Sequence, residues 1–113
     1  MNRAFVHLVG TGFLVAAVLA LGVSPARAGE DVAALFKAKC AACHGADGSG
    51  DTSMGKTLKL RDLRSADVQK QTDAQLTEII TNGKGKMPAY KGKVTDDQIK
   101  QLVATIRDLA KKK

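Results

Sequence analysis

The chain has 113 residues, 44% of them hydrophobic, with three phenylalanines, one tyrosine and no tryptophan, which is enough for one small domain and no more. Its 18 basic against 11 acidic residues give a net charge of +7; this suits acidic protein surfaces or anionic membranes, and the shortage of rings for base stacking argues against nucleic acid.

The chain opens as a secretory leader. Arg3 supplies a positive start, residues 8–23 form an apolar stretch, Ser24-Pro25 breaks it, and Ala26-Arg27-Ala28 gives the small-x-small pattern that signal peptidase accepts. Cleavage is expected before Gly29, so the division is a signal peptide over 1–28 and a domain over 29–113. The alternative, an uncleaved anchor, needs about 20 apolar residues to span a bilayer, and this stretch is shorter. Loss of Arg3 and Arg27 leaves 16 basic residues against 11 acidic ones in a domain of 85 residues. A domain of that size buries only about 60% of its unfolded surface and usually needs a disulfide, a metal or a cofactor as a staple.

A first helix is predicted over 30–43, because Val32, Leu35, Phe36, Cys40 and Cys43 recur at spacings of three and four along one face. Glu30 and Asp31 sit at its positive end, and Lys37 and Lys39 lie near its negative end. The stripe ends in Cys40-Ala41-Ala42-Cys43-His44. Two thiols one helical turn apart can take the two vinyl groups of a haem, and the imidazole that follows can ligate the iron. A thioredoxin-like thiol pair would want a βαβ context, which is missing. A zinc or iron–sulfur centre would need four protein ligands, yet the other histidine, His7, leaves with the leader. A plain disulfide would leave His44 unexplained.

Residues 45–60 are expected to be loop, with Gly45, Gly48, Gly50 and Gly55 interleaved with Asp47, Ser49, Asp51 and Ser53. They lack the order of a phosphate-binding loop and are read as a wrap around haem. Ser65 is placed to cap a short turn over 66–70. Thr72 with Gln75 forms a capping box opening a helix that carries Leu76, Ile79 and Ile80 and stops at Asn82-Gly83, where glycine can take the left-handed cap. Residues 83–94 form a second loop. Thr95 with Gln98 repeats the capping box and opens the last helix, whose stripe of Ile99, Leu102, Val103, Ile106 and Ala110 is the clearest in the chain. No strand alternation, internal repeat or second domain is visible.

One side of the iron falls to His44; the other is left to Met87, Met54, an outside ligand or nothing. Met87 lies in Gly83-Lys84-Gly85-Lys86-Met87-Pro88-Ala89-Tyr90, where glycines let the backbone approach a ring and Pro88 fixes the exit. A neutral, soft thioether there would favour ferrous iron and raise the reduction potential. Met54, ten residues beyond His44, would have to strain to reach the opposite face and is assigned to the pocket wall.

On the C-x-x-C-H motif, the glycine-rich loop, the capped middle helix, the Gly-Lys-Met-Pro-Ala-Tyr stretch and the amphipathic last helix, residues 30–109 resemble a class I monohaem cytochrome c of the small soluble bacterial and photosynthetic kind. The resemblance implies a small all-α fold with crossed N- and C-terminal helices around one covalent haem c. It also implies thioethers at Cys40 and Cys43, His44 as the proximal iron ligand and Met87 as the distal one. Tyr90 would then lie near the haem, within reach of a propionate. Two departures stand out: Met54-Gly55-Lys56 replaces a common proline-bearing segment whose carbonyl orients the proximal histidine, and Thr105 beside Ile106 stands where relatives often place an aromatic residue at the helix crossing.

The function expected is electron transport in the periplasm, or in a thylakoid-lumen-like compartment if the chain is photosynthetic. The protein would be a monomeric single-electron carrier and not an enzyme, moving between redox partners of a respiratory or photosynthetic chain, with no membrane insertion after leader cleavage. Lys84, Lys86, Lys91 and Lys93 flank the methionine loop and would steer it to acidic docking surfaces. A haem-bearing subunit of a larger oxidoreductase is the alternative, with a haem peroxidase or gas-binding sensor behind it.

Overall fold

The structure, a computed structural model, describes residues 28–112 together with Gly10 and Gly12. The expected leader therefore lies outside the described residues except at Ala28 and those two glycines. Among the described residues six helices follow in order: α1 (Ala28–Lys39), α2 (Ala41–His44), α3 (Ser53–Leu58), α4 (Ala66–Gln69), α5 (Asp73–Asn82) and α6 (Asp96–Lys111). Among the described residues there is no strand, only isolated bridges joining Lys84 to Met87 and Lys91 to Val94.

The two longest helices after α1 begin where capping boxes predict. In α5 the Gln75 amide donates to Thr72 Oγ1 at 3.1 Å while the Thr72 amide donates to Gln75 Oε1 at 2.9 Å. Thr95 and Gln98 repeat the exchange in α6 at 3.1 and 2.8 Å. Each pair satisfies two amides that a helix start would otherwise leave without partners. Ser65 caps α4 by accepting from the Val68 amide.

Three expectations need correcting. The helix predicted over 30–43 is broken at Cys40, whose amide still bonds to Phe36 O at 2.8 Å while the Cys43 amide turns from Lys39 O to Cys40 O, beside the regular bond from His44. The loop predicted over 45–60 contains α3. Thr52 caps it, with Oγ1 accepting from the Gly55 amide at 2.8 Å; a local side-chain cap outweighs the weak helix propensity of a segment with a glycine inside it. Gly83 does end α5, but at φ 77° and ψ 171°, a region open to glycine that differs from the left-handed helical cap.

The core is the apolar stripe of α6 seen from both sides. Ile99, Leu102, Val103 and Ile106 are buried together with Phe36 of α1, Leu76 and Ile80 of α5, Val68 of α4 and Val94. α6 packs on both α1 and α5, so the first and last helices meet as expected. Phe36 supplies the aromatic ring of this core, while Thr105 is half-buried and donates to Gln101 O. Arg107 ties the other flank of α6 down. Its guanidinium donates to Asp73 Oδ1, Gln69 O and Gln71 O, and Gln69 Nε2 donates in turn to Leu63 O and Ile106 O. These bonds fix the α4–α5 junction on α6. No helix among the described residues is long and apolar enough to cross a membrane.

Candidate functional site

Three adjoining hollows open between α1, α5, α6 and the loop after α5. The widest holds about 470 Å³, within the range of roughly 300–1,000 Å³ typical of cofactor sites. His44 and Met87 line all three; Cys40 and Tyr90 line the two smaller ones, and Cys43 lines one of those. Residues 43 apart in sequence thus share one slot with the two thiols at its edge. Phe36, Ile80, Leu102 and Ile106 wall the enclosed part.

The segment 40–44 is held from below. Thr52 Oγ1 donates to Cys43 O at 2.7 Å, and the Gly50 amide donates to His44 O at 2.6 Å. Gly55 lies buried beneath them, where a Cβ would run into the Gly50 carbonyl and stand 2.7 Å from Cys43 O. Only glycine lets α3 come this close, and the contact is a backbone one that cannot yield. Because Gly55 turns inward, the preceding residue is rotated by about 100° away from that face. Met54 is accordingly 49% exposed and lines none of the hollows; its assignment to the pocket wall does not hold. Leu58, Leu60 and Leu63 form that wall instead, a leucine run just past the glycines that the sequence offers as a signal.

Met87 is held by a two-residue hairpin. Its amide donates to Lys84 O at 3.0 Å, and the Lys84 amide donates back to Met87 O at 3.2 Å. The hairpin folds onto Gly83, where a Cβ would stand 2.6 Å from Met87 O and 2.9 Å from the Ala89 amide nitrogen. Beyond it, the amides of Tyr90 and Lys91 donate to Ile80 O and Thr81 O of α5, each at 3.0 Å. The Tyr90 hydroxyl donates to Lys39 O at 2.9 Å, so its single proton is already engaged and is not free for a propionate. Lys93 Nζ sits 5.8 Å from the centre of the Tyr90 ring.

The chemistry of these groups bears on whether a haem fits. His44 Nδ1 is buried with no hydrogen-bond partner, so the stretch 54–56 presents no carbonyl to it. An unpaired buried ring nitrogen costs about 1–3 kcal/mol, and burial pulls the His44 pKa below its ordinary value of 6.5. The ring is therefore neutral, the form that binds a metal. Burial, and then the neighbouring Cys43, push the Cys40 thiol up to about 11. Burial, followed by the same two cysteines, also raises the Tyr90 phenol above its usual 10. Two thiols, a neutral imidazole and a thioether along one apolar slot fit a covalent haem. Sequence reasoning missed Arg61, which with Lys84 and Lys86 brings cationic side chains to the wide hollow; nothing in its spacing marks it.

Comparison with known proteins agrees with this chemistry. Residues 27–105 match the family described as cytochrome c oxidase, cbb3-type, subunit III. The chain is 44% identical over 78 residues to cytochrome c6 of Leptolyngbya boryana, covering 69% of this chain and 88% of that one. It is 35% identical over 116 residues to cytochrome c6 of Thermosynechococcus vestitus, covering 99% and 96%. Among solved structures the KustC0563 c-type cytochrome is similar with a TM-score of 0.63 at 33% identity, over 68% of this chain and 94% of its own.

Proposed function

The chain belongs to the c-type cytochrome family, as a small member with one covalent haem c, and from that we propose that it is an exported single-electron carrier rather than an enzyme. The observation that carries the reading is that His44 and Met87 line the same hollows with Cys40 and Cys43 at their edge. In this reading the signal peptide over 1–28 directs residues 29–113 to the periplasm, or to a lumen of the thylakoid kind. There the protein works as a monomer between redox partners of a respiratory or photosynthetic chain.

When bound, the haem iron supplies a one-electron couple; the protein's part is to hold it and to keep it closed. Cys40 and Cys43 would anchor the haem as thioethers, and His44 and Met87 would supply the protein ligands to its iron. The hydrogen bonds under segment 40–44 and within the Met87 hairpin hold both residues in place, so both ligands would be preorganised. Apolar walls from Phe36, Ile80, Leu102 and Ile106 keep water away, and a dry site with a thioether ligand favours the reduced state. Arg61, Lys84 and Lys86 line the wide hollow and would offset the charge of the propionates. Tyr90 lines the hollows that would receive the haem, its hydroxyl being committed to Lys39.

Lys84, Lys86, Lys91 and Lys93 are all exposed and form a basic collar around the loop that carries Met87. Acidic docking surfaces on partners would be drawn to it, over distances that salt screens to about 8 Å at physiological ionic strength. The family description names an oxidase subunit, but relatives of single-domain size match along 88% and 96% of their length, which supports a free carrier.

A closed site is tested with carbon monoxide on the ferrous protein. The carrier is expected to bind none promptly near neutral pH, since Met87 fills the sixth position. Prompt binding would move the protein to the peroxidase or gas-sensor class.

A further inference from the structure

We propose that Tyr90 is a positioning residue that latches the Met87 loop shut against the end of α1. The proposal rests on Met87 as the distal ligand. Residues 83–94 are anchored to α5 through the amides of Gly83, Tyr90 and Lys91. Those bonds hold the loop to one wall of the slot and leave its distance from the haem-attachment segment unset.

One hydrogen bond among the described residues spans that gap. The Tyr90 hydroxyl donates to Lys39 O at 2.9 Å, joining positions 51 apart in sequence. Lys39 is the last residue of α1 and the neighbour of Cys40. The helix breaks at this point: the Cys43 amide turns to Cys40 O, and the Lys39 carbonyl accepts from the phenol. The Tyr90 ring lines the enclosed hollow together with Cys40, His44 and Met87, so it spaces the two walls while its tip ties them. Three residues after Met87, the same side chain thus fixes how far the methionine loop stands from the histidine side.

Lifting Met87 away from iron, as an outside ligand must, moves the loop and breaks this bond. The Lys39 end is exposed, so water takes over the released groups and the latch has the modest worth of an ordinary hydrogen bond, which converts to about a five-fold change in the closed-to-open ratio.

The test uses the exported holoprotein as wild type, Tyr90→Phe, Met87→Ala and Arg107→Ala. Tyr90→Phe keeps the ring and removes only the hydroxyl. Two readouts separate the latch from the ligand assignment: amide hydrogen exchange at Tyr90 and Lys91, and imidazole binding to the ferric protein followed by loss of the weak methionine-to-ferric charge-transfer absorption. Tyr90→Phe is expected to keep that absorption at rest, to exchange these amides about five-fold faster and to bind imidazole about five-fold more tightly. Arg107→Ala, which loosens the fold away from the loop, should change neither. Unchanged exchange in Tyr90→Phe overturns the latch, as does an equal effect from Arg107→Ala, which would mark general softening. If Met87→Ala keeps the charge-transfer absorption, the ligand assignment fails, and with it the latch's bearing on iron; faster exchange in Tyr90→Phe would then report a loop contact alone.

Discussion

Met87→Ala is expected to lose the weak methionine-to-ferric charge-transfer absorption and to lower the reduction potential by on the order of 100 mV. A thioether is neutral and soft, so it favours ferrous over ferric iron. In a one-electron couple each tenfold of that preference is worth about 59 mV, and two decades give roughly the fall stated. The fold itself should survive. Met87 is only half-buried and packs against the rim of a nine-residue core built from other side chains, so the loss of packing should fall below the ~2–5 kcal/mol of a fully buried methionine. Absorption and a redox titration on the same sample check both effects. If the absorption and the potential survive together, Met87 is not the ligand.

Cys40→Ala combined with Cys43→Ala removes the covalent attachment and is expected to leave the exported chain largely unfolded. Without its group the widest hollow is a gap of about 470 Å³. A small domain has only about 5–15 kcal/mol of stability in all, so it tolerates the loss of the group that fills this hollow poorly. Among the described residues nine apolar side chains are buried, which leaves little in reserve. Far-ultraviolet circular dichroism at 25 °C should show most of the helix lost. Whatever fold persists should weaken with acid. His44 is a base whose folded pKa lies below its ordinary 6.5, so the unfolded chain binds more protons. Its cost to folding is absent above 6.5 and grows as pH falls from there towards the folded value. Helix content should therefore be higher at pH 8 than at pH 5.

The parts that could be read without coordinates were those governed by local chemistry. Two capping boxes placed the starts of α5 and α6, and the stripe of Ile99, Leu102, Val103 and Ile106 identified the core helix because burial on two sides demands that period. The five-residue cluster ending at His44 identified the haem because few other sites use two thiols and an imidazole at that spacing.

What remained hidden depends on contacts between distant segments. At the helix break the Lys39 carbonyl accepts from a phenol 51 residues away while the Cys43 amide turns to Cys40 O, a partner that local spacing cannot reveal. The outward turn of Met54 follows from Gly55 fitting beneath the Cys43 and Gly50 carbonyls, which spacing cannot reveal. Tyr90 was legible as a neighbour of the haem, but its hydroxyl was expected near a propionate and in fact holds Lys39. The cations Arg61, Lys84 and Lys86 meet at the wide hollow only once α5 and the chain before α4 are folded onto α6.

The intact mass of the exported protein, taken under denaturing and reducing conditions, tests the central claim most directly. The expected result is a single species equal to residues 29–113 plus one haem, because thioethers at Cys40 and Cys43 survive both treatments. A species with the mass of the bare chain, with two thiols open to alkylation, would contradict covalent attachment and remove the basis for a His44 and Met87 electron-transfer site.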